Sequence, residues 1–208
     1  MKLLTALPLL GALALISLGQ TARAEHFDVD TTTIVGQSGY LDFQFNPNAD
    51  GTTPLDSNVK VTNFMSDGTL GSVDTAVNVT GTLPGDVTIT NSADTNGLLQ
   101  LFTFGNTLSF DTTFPDAPDV SAADEGSTFQ FFALDTNKDP YSTNDPSGNN
   151  ALVVISQNAD GSLNDSQQYE LNAPASVPEP SSGVSLMLLS ALVLIPVGLA
   201  VRKQRKAA

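Results

Sequence analysis

Apolar and polar residues alternate with a period of two through much of the middle of the chain. In Tyr40-Leu41-Asp42-Phe43-Gln44-Phe45 the set Leu41, Phe43 and Phe45 interleaves with Asp42 and Gln44, and Val73, Val77 and Val79 interleave in the same way with Asp74 and Asn78. Successive side chains of an extended strand point to opposite faces, so both segments are expected to be half-buried strands. Further short runs predict strands at Val59 to Phe64, Val87 to Thr90, Leu98 to Phe104, Leu108 to Phe114, Thr128 to Leu134, Leu152 to Ile155 and Gln168 to Leu171, roughly nine in all. Turn chemistry separates them: Asn48-Ala49-Asp50-Gly51, Ser66-Asp67-Gly68, Leu83-Pro84-Gly85-Asp86, Asp145-Pro146-Ser147-Gly148 and Asn158-Ala159-Asp160-Gly161. No helical period competes in this region. Many short strands, apolar on one face and polar on the other, predict an all-β fold: an antiparallel β-sandwich of jelly-roll or immunoglobulin-like type. Leu98 to Phe104 and Phe129 to Leu134 are apolar at both parities, which places them at central positions or under a covered outer face.

The two ends follow a different pattern. Lys2 precedes an apolar stretch from Leu3 to Leu18, and Ala22-Arg23-Ala24 has the small residues that a signal peptidase reads at positions −3 and −1. Residues 1–24 are therefore expected to be a signal peptide, with the mature chain starting at Glu25. At the other end the uncharged run from Gly183 to Val201 would extend roughly 28 Å as a helix, close to the hydrocarbon thickness of a bilayer. Arg202, Lys203, Arg205 and Lys206 follow at once and hold residues 202–208 in the cytoplasm by the positive-inside rule. Just before the span, in a linker at 175–182, Pro178-Glu179-Pro180 favours extended backbone and excludes a continuing helix.

Triplet, span and basic cluster, in that order, resemble the PEP-CTERM sorting signal of exported bacterial proteins. The resemblance implies processing by a membrane exosortase and delivery to the cell surface or the extracellular space. The run from Ser38 to Pro47, then Val61-Thr62-Asn63-Phe64, and later Asp145-Pro146-Ser147-Gly148 and Asp160-Gly161 resemble uncharacterised passengers of that system. Those motifs are a strand, a turn and a hairpin, and they imply no activity.

Removing both ends sharpens the electrostatics. Of the eight Lys and Arg only Lys60 and Lys138 lie between Glu25 and Pro180, against all 22 Asp and Glu, a formal charge of −20. Such a surface repels phosphate backbones and attracts cations, which excludes nucleic acid as a partner. The chain has no cysteine, so the domain at 25–174 must be held by its core.

The inventory of chemical groups is short. His26 is the only histidine and is expected at a fraying terminus, which argues against a Ser-His-Asp triad or a zinc site. Asp124-Glu125 is a carboxylate pair in a polar stretch and is expected to be solvated surface rather than a glycosidase centre. Asp135, Asn137 and Asp139 present oxygen at alternate positions, with Asp145 following, as a calcium loop does. Pro140 and Pro146 stand where an EF-hand needs glycine and a bidentate glutamate, so any calcium site here would be a looser one between loops. No other cofactor is expected. The function expected from these features is that of a non-enzymatic exported surface or matrix protein. The alternative is a carbohydrate-binding module for extracellular polysaccharide, weakened by the absence of tryptophan.

Overall fold

Where the sequence alternates most cleanly, the chain forms strands. The structure is a computed structural model that describes residues 23–48, 56–115 and 125–173. Its strands are β1 (Arg23–Asp30), β2 (Ser38–Pro47), β3 (Asn58–Ser66), β4 (Thr69–Val77), β5 (Val79–Gly81), β6 (Val87–Thr90), β7 (Gly97–Thr103), β8 (Thr107–Phe114), β9 (Ser127–Leu134), β10 (Val153–Gln157) and β11 (Gln167–Gln168). A 3-10 turn at Thr32–Ile34 is the one helical element among the described residues. Two sheets result, ordered β1-β8-β3-β6-β5 and β11-β10-β9-β2-β7-β4, with every pairing antiparallel.

The inward residues of both sheets build one core. Phe110 of β8 lies edge-on to Phe43 of β2 with ring centroids 5.3 Å apart, and to Phe131 of β9 at 5.1 Å. Its neighbour Phe27 of β1 is 5.6 Å away. Edge-to-face pairs align the positive ring edge with the negative ring face, adding to the area buried. Leu41, Phe43 and Phe45 are buried while Asp42 and Gln44 are half-buried, the alternation read in the sequence. Close approach also sets composition: a Cβ at Gly39 would lie 2.0 Å from the carbonyl oxygen of Leu134, so β2 and β9 can register there only with glycine.

Two expectations fail. Val73 and Val77 are 40% and 38% exposed, and Val79 belongs to β5 in the other sheet. β4 is an edge strand whose register against β7 shifts twice, and Asn78, at φ 54, turns the chain from one sheet into the next. A bulged edge buries neither face fully, so its alternation signals a strand without signalling depth. The second correction concerns His26, expected at a fraying end. It stands in β1, which pairs with β8 from Arg23↔Phe114 to Asp30↔Thr107 and is anchored by buried Phe27 and Val29.

The doubly apolar runs are internal strands: β7 lies between β2 and β4, and β9 between β10 and β2. The outer face of β9 carries a second apolar cluster, Phe132, Leu134 and Ala151, with Tyr40, Leu99 and Val154 packed against it.

Candidate functional site on the outer face of the larger sheet

Because β2 buries its odd-numbered side chains, Asp42, Gln44 and Asn46 all project from the outer face of the six-stranded sheet. They form a chain of hydrogen bonds. Asn46 Nδ2 donates to Gln44 Oε1 at 3.1 Å, and Gln44 Nε2 donates to Asp42 Oδ2 at 2.6 Å. The chain starts at Asn96, which is fully buried: its backbone N–H donates to Asn46 Oδ1 at 2.7 Å, and its Oδ1 accepts from Asn78 Nδ2 at 2.7 Å. Asn96 Nδ2 in turn reaches Phe45 O at 3.1 Å. A single side chain therefore pins the turn before β7 to β2 and to the crossing point between the two sheets.

Asp42 sits opposite Leu99 on β7 and Phe132 on β9. Burial beside these apolar neighbours pushes its carboxyl above the usual carboxylate range, and the bond from Gln44 only partly opposes this. Around Asp42 and Gln44, the side chains of Thr75, Val77 and Leu99 with Asn96 enclose a shallow hollow of about 180 Å³. It offers hydrogen-bonding oxygens and amide hydrogens above an apolar floor, a combination suited to a neutral polyhydroxyl ligand and unsuited to an anion.

The residues predicted from sequence are scattered. Asp135 closes its own loop, accepting from the backbone N–H of Asn137 at 2.8 Å and of Asp139 at 3.0 Å, which holds its carboxyl below the usual range. Lys138, at φ 70, turns out of that loop to Asp74 at 2.8 Å and lies 5.3 Å from the centre of the Tyr40 ring. Asp145 is spent on its own turn, accepting from Ser147 N at 2.8 Å and Ser147 Oγ at 2.7 Å. Among the described residues no three His, Asp or Glu side chains are grouped to share an ion.

Glu125 corrects another expectation. Its carboxylate oxygens are buried without a hydrogen-bond partner, where solvated surface was predicted; Asp124 lies outside the described residues. Ala24 and Glu25 of the expected cleavage site stand in β1, opposite Thr113 and Thr112, with Arg23 Nε 2.6 Å from the Glu25 carboxylate. Ala22, the triplet Pro178, Glu179 and Pro180, the span 183–201 and the basic residues 202–206 lie outside the described residues. No described helix is long and apolar enough to cross a membrane.

Sequence reasoning passed over Asp42 because alternation explains it as an ordinary outward residue. The available signal was its place between the phenylalanine-rich positions of β2; the missing information was the pairing with Leu99 and Phe132, 57 and 90 residues later in the chain. No protein-family model, curated protein or solved structure matches the chain.

Proposed function

We propose that this chain is a non-enzymatic exported protein, sorted through its C-terminal signal, whose acidic β-sandwich is displayed at the cell surface or in extracellular polysaccharide. The observation that carries this reading is the order of Pro178-Glu179-Pro180, an uncharged span and a basic cluster at the C-terminus. The fold supports it: one core formed by both sheets, with no cysteine in the chain, suits an exported domain that relies on packing alone.

The test changes Pro178, Glu179 and Pro180 together to Ala, leaving the span and its charge untouched. In a host with an exosortase, wild type loses its tail and the mutant accumulates as a longer, membrane-retained form. Equal masses and equal membrane fractions overturn the sorting assignment.

Carbohydrate binding is the second reading, favoured by the hollow around Asp42 and Gln44. It draws no support from exposed aromatic platforms, since Lys138 lies over the Tyr40 ring and Tyr141 packs against Phe104 and donates to Gln37 Oε1 at 3.0 Å. A glycan array probed with wild type and with the Asp42→Ala, Gln44→Ala double variant separates the two: binding lost in the variant supports the module, and no binding by wild type removes it.

A further inference from the structure

On the outer face of the smaller sheet, three strands converge on Asp111 of β8. His26 of β1 directs Nδ1 to Asp111 Oδ1, while Asn63 of β3 donates Nδ2 to the other oxygen at 2.6 Å. Asn63 reaches it from a left-handed conformation, φ 53, at the point where β3 slips register against β8 between Thr62 and Met65. That conformation is uncommon outside glycine and best tolerated by asparagine, and here the bulge delivers its amide to the carboxylate. The second ring nitrogen of His26 lies 3.4 Å from Asp28 Oδ1. The backbone carbonyl of Asp28 accepts from Gln168 Nε2 of β11, which belongs to the other sheet. The edge where the two sheets meet is thus tied together through β1.

We propose that His26 is a pH-dependent clasp that fixes β1, and with it this edge of the two-sheet fold, to Asp111. Neutral imidazole has one N–H and can serve one carboxylate, whereas the imidazolium has two and a charge that both carboxylates share. The charged groups facing the ring are Asp28 on its own strand and Asp111 on β8. β3 and β11 contribute Asn63 and Gln168, which do not titrate. Lys60, farther along β3, is occupied by Asp86 at 2.7 Å, and Asp67 lines the hollow beside Asp28 without a contact to the ring.

Both partners shift in the direction the geometry requires. The hydrogen bond to Asp111 holds His26 above its ordinary 6.5, against an opposing effect of desolvation, and the bonds from Asn63 and then His26 hold Asp111 below 3.8. A raised histidine contributes stability that is complete below 6.5 and disappears as pH climbs through its folded value. A lowered carboxylate contributes stability present above 3.8 that disappears as pH falls through its folded value. The clasp therefore closes in a mildly acidic window and slackens on either side.

As the sole histidine, His26 gives one set of ring resonances, so its titration in the full-length protein is read directly by NMR with labelled histidine. The expected midpoint lies above 6.5 and moves down in Asp111→Asn. Hydrogen exchange, corrected for the intrinsic effect of pH, should show residues 23–30 losing protection between pH 6 and 8.5 while β2 does not, and His26→Gln should abolish that step. A wild-type midpoint at or below 6.5, or one that Asp111→Asn leaves in place, overturns the clasp whether or not the variants fold well. So does a pH step in β1 that survives His26→Gln.

Discussion

The outer faces of the two sheets handle charge in opposite ways. On the smaller sheet the carboxylates are met by donors: half-buried Asp111 by Asn63 and His26, and exposed Asp67, in the turn leading from β3 to β4, by the backbone N–H of Thr107 at 3.0 Å and by Asn106 Nδ2 at 2.7 Å. These bonds bring Asp67 down to about 2. On the larger sheet Asp42 lies against Leu99 and Phe132 with Gln44 as its donor, and desolvation moves it up. The same residue type is thus held charged in one place and pressed toward neutrality in the other. What differs is whether donors or apolar neighbours arrive from the adjoining strands.

The largest effect expected is one that ignores the contrast. Phe110→Ala removes the ring between Phe27, Phe43 and Phe131 and should cost about 3–5 kcal/mol in denaturant unfolding. Both faces should lose order together, because they share that core; separate transitions for the two sheets would show that they do not. Next is Gly39→Ala, whose Cβ meets the Leu134 carbonyl. It should cost about 1–3 kcal/mol and loosen the larger sheet first, visible as faster hydrogen exchange in β2 and β9 than in β8.

Two isosteric changes sharpen the comparison directly. Asp67→Asn should lower stability at neutral pH, and the difference from wild type should shrink as pH falls from 3.8 through about 2, where a lowered carboxylate loses its contribution. Asp42→Asn should do the reverse. With a raised folded value, ionisation of Asp42 opposes folding, so wild type loses stability as pH rises from 3.8 and the variant should lose that slope. Parallel pH–stability curves for the two variants would contradict the contrast. The smallest effect expected is at the loop around Asp135. Its carboxylate is already engaged by backbone N–H groups, so calcium should raise the melting temperature no more than magnesium at equal ionic strength. A calcium-specific rise that Asp135→Ala with Asp139→Ala removes would establish a site there.

Strand identity was legible because period-two alternation is local, and β2, β3, β6 and β8 lie where it predicts them. Depth was not. Val73 and Val77 carry the same pattern as Leu41 and Phe43, but β4 has a neighbour on one side only and is bulged against it. β1 is not legible because the expected cleavage after Ala24 puts it at a chain end, and Phe27 and Val29 are buried only through the pairing with β8. The hollow and the clasp share that obscurity. Each depends on cross-strand neighbours, and Asp111 is 85 residues from His26 and 48 from Asn63.

The register of β1 has a consequence for the order of assembly. Its partner β8 is made long after it, and β2 pairs with β9 later still. Chain closure over such separations is slow, since the entropy of the intervening loops is lost before the contacts that offset it are made. Hairpins of consecutive strands such as β5–β6 and β10–β11 cannot substitute, because neither includes β1 or β2, and even the β3–β8 pair encloses β4 through β7. A chain emerging from its N-terminus consequently leaves Leu41 and Phe43 without a partner strand until β7 is out, Phe27 and Val29 until β8 is out, and the β9 side of β2 open until Leu134 is free.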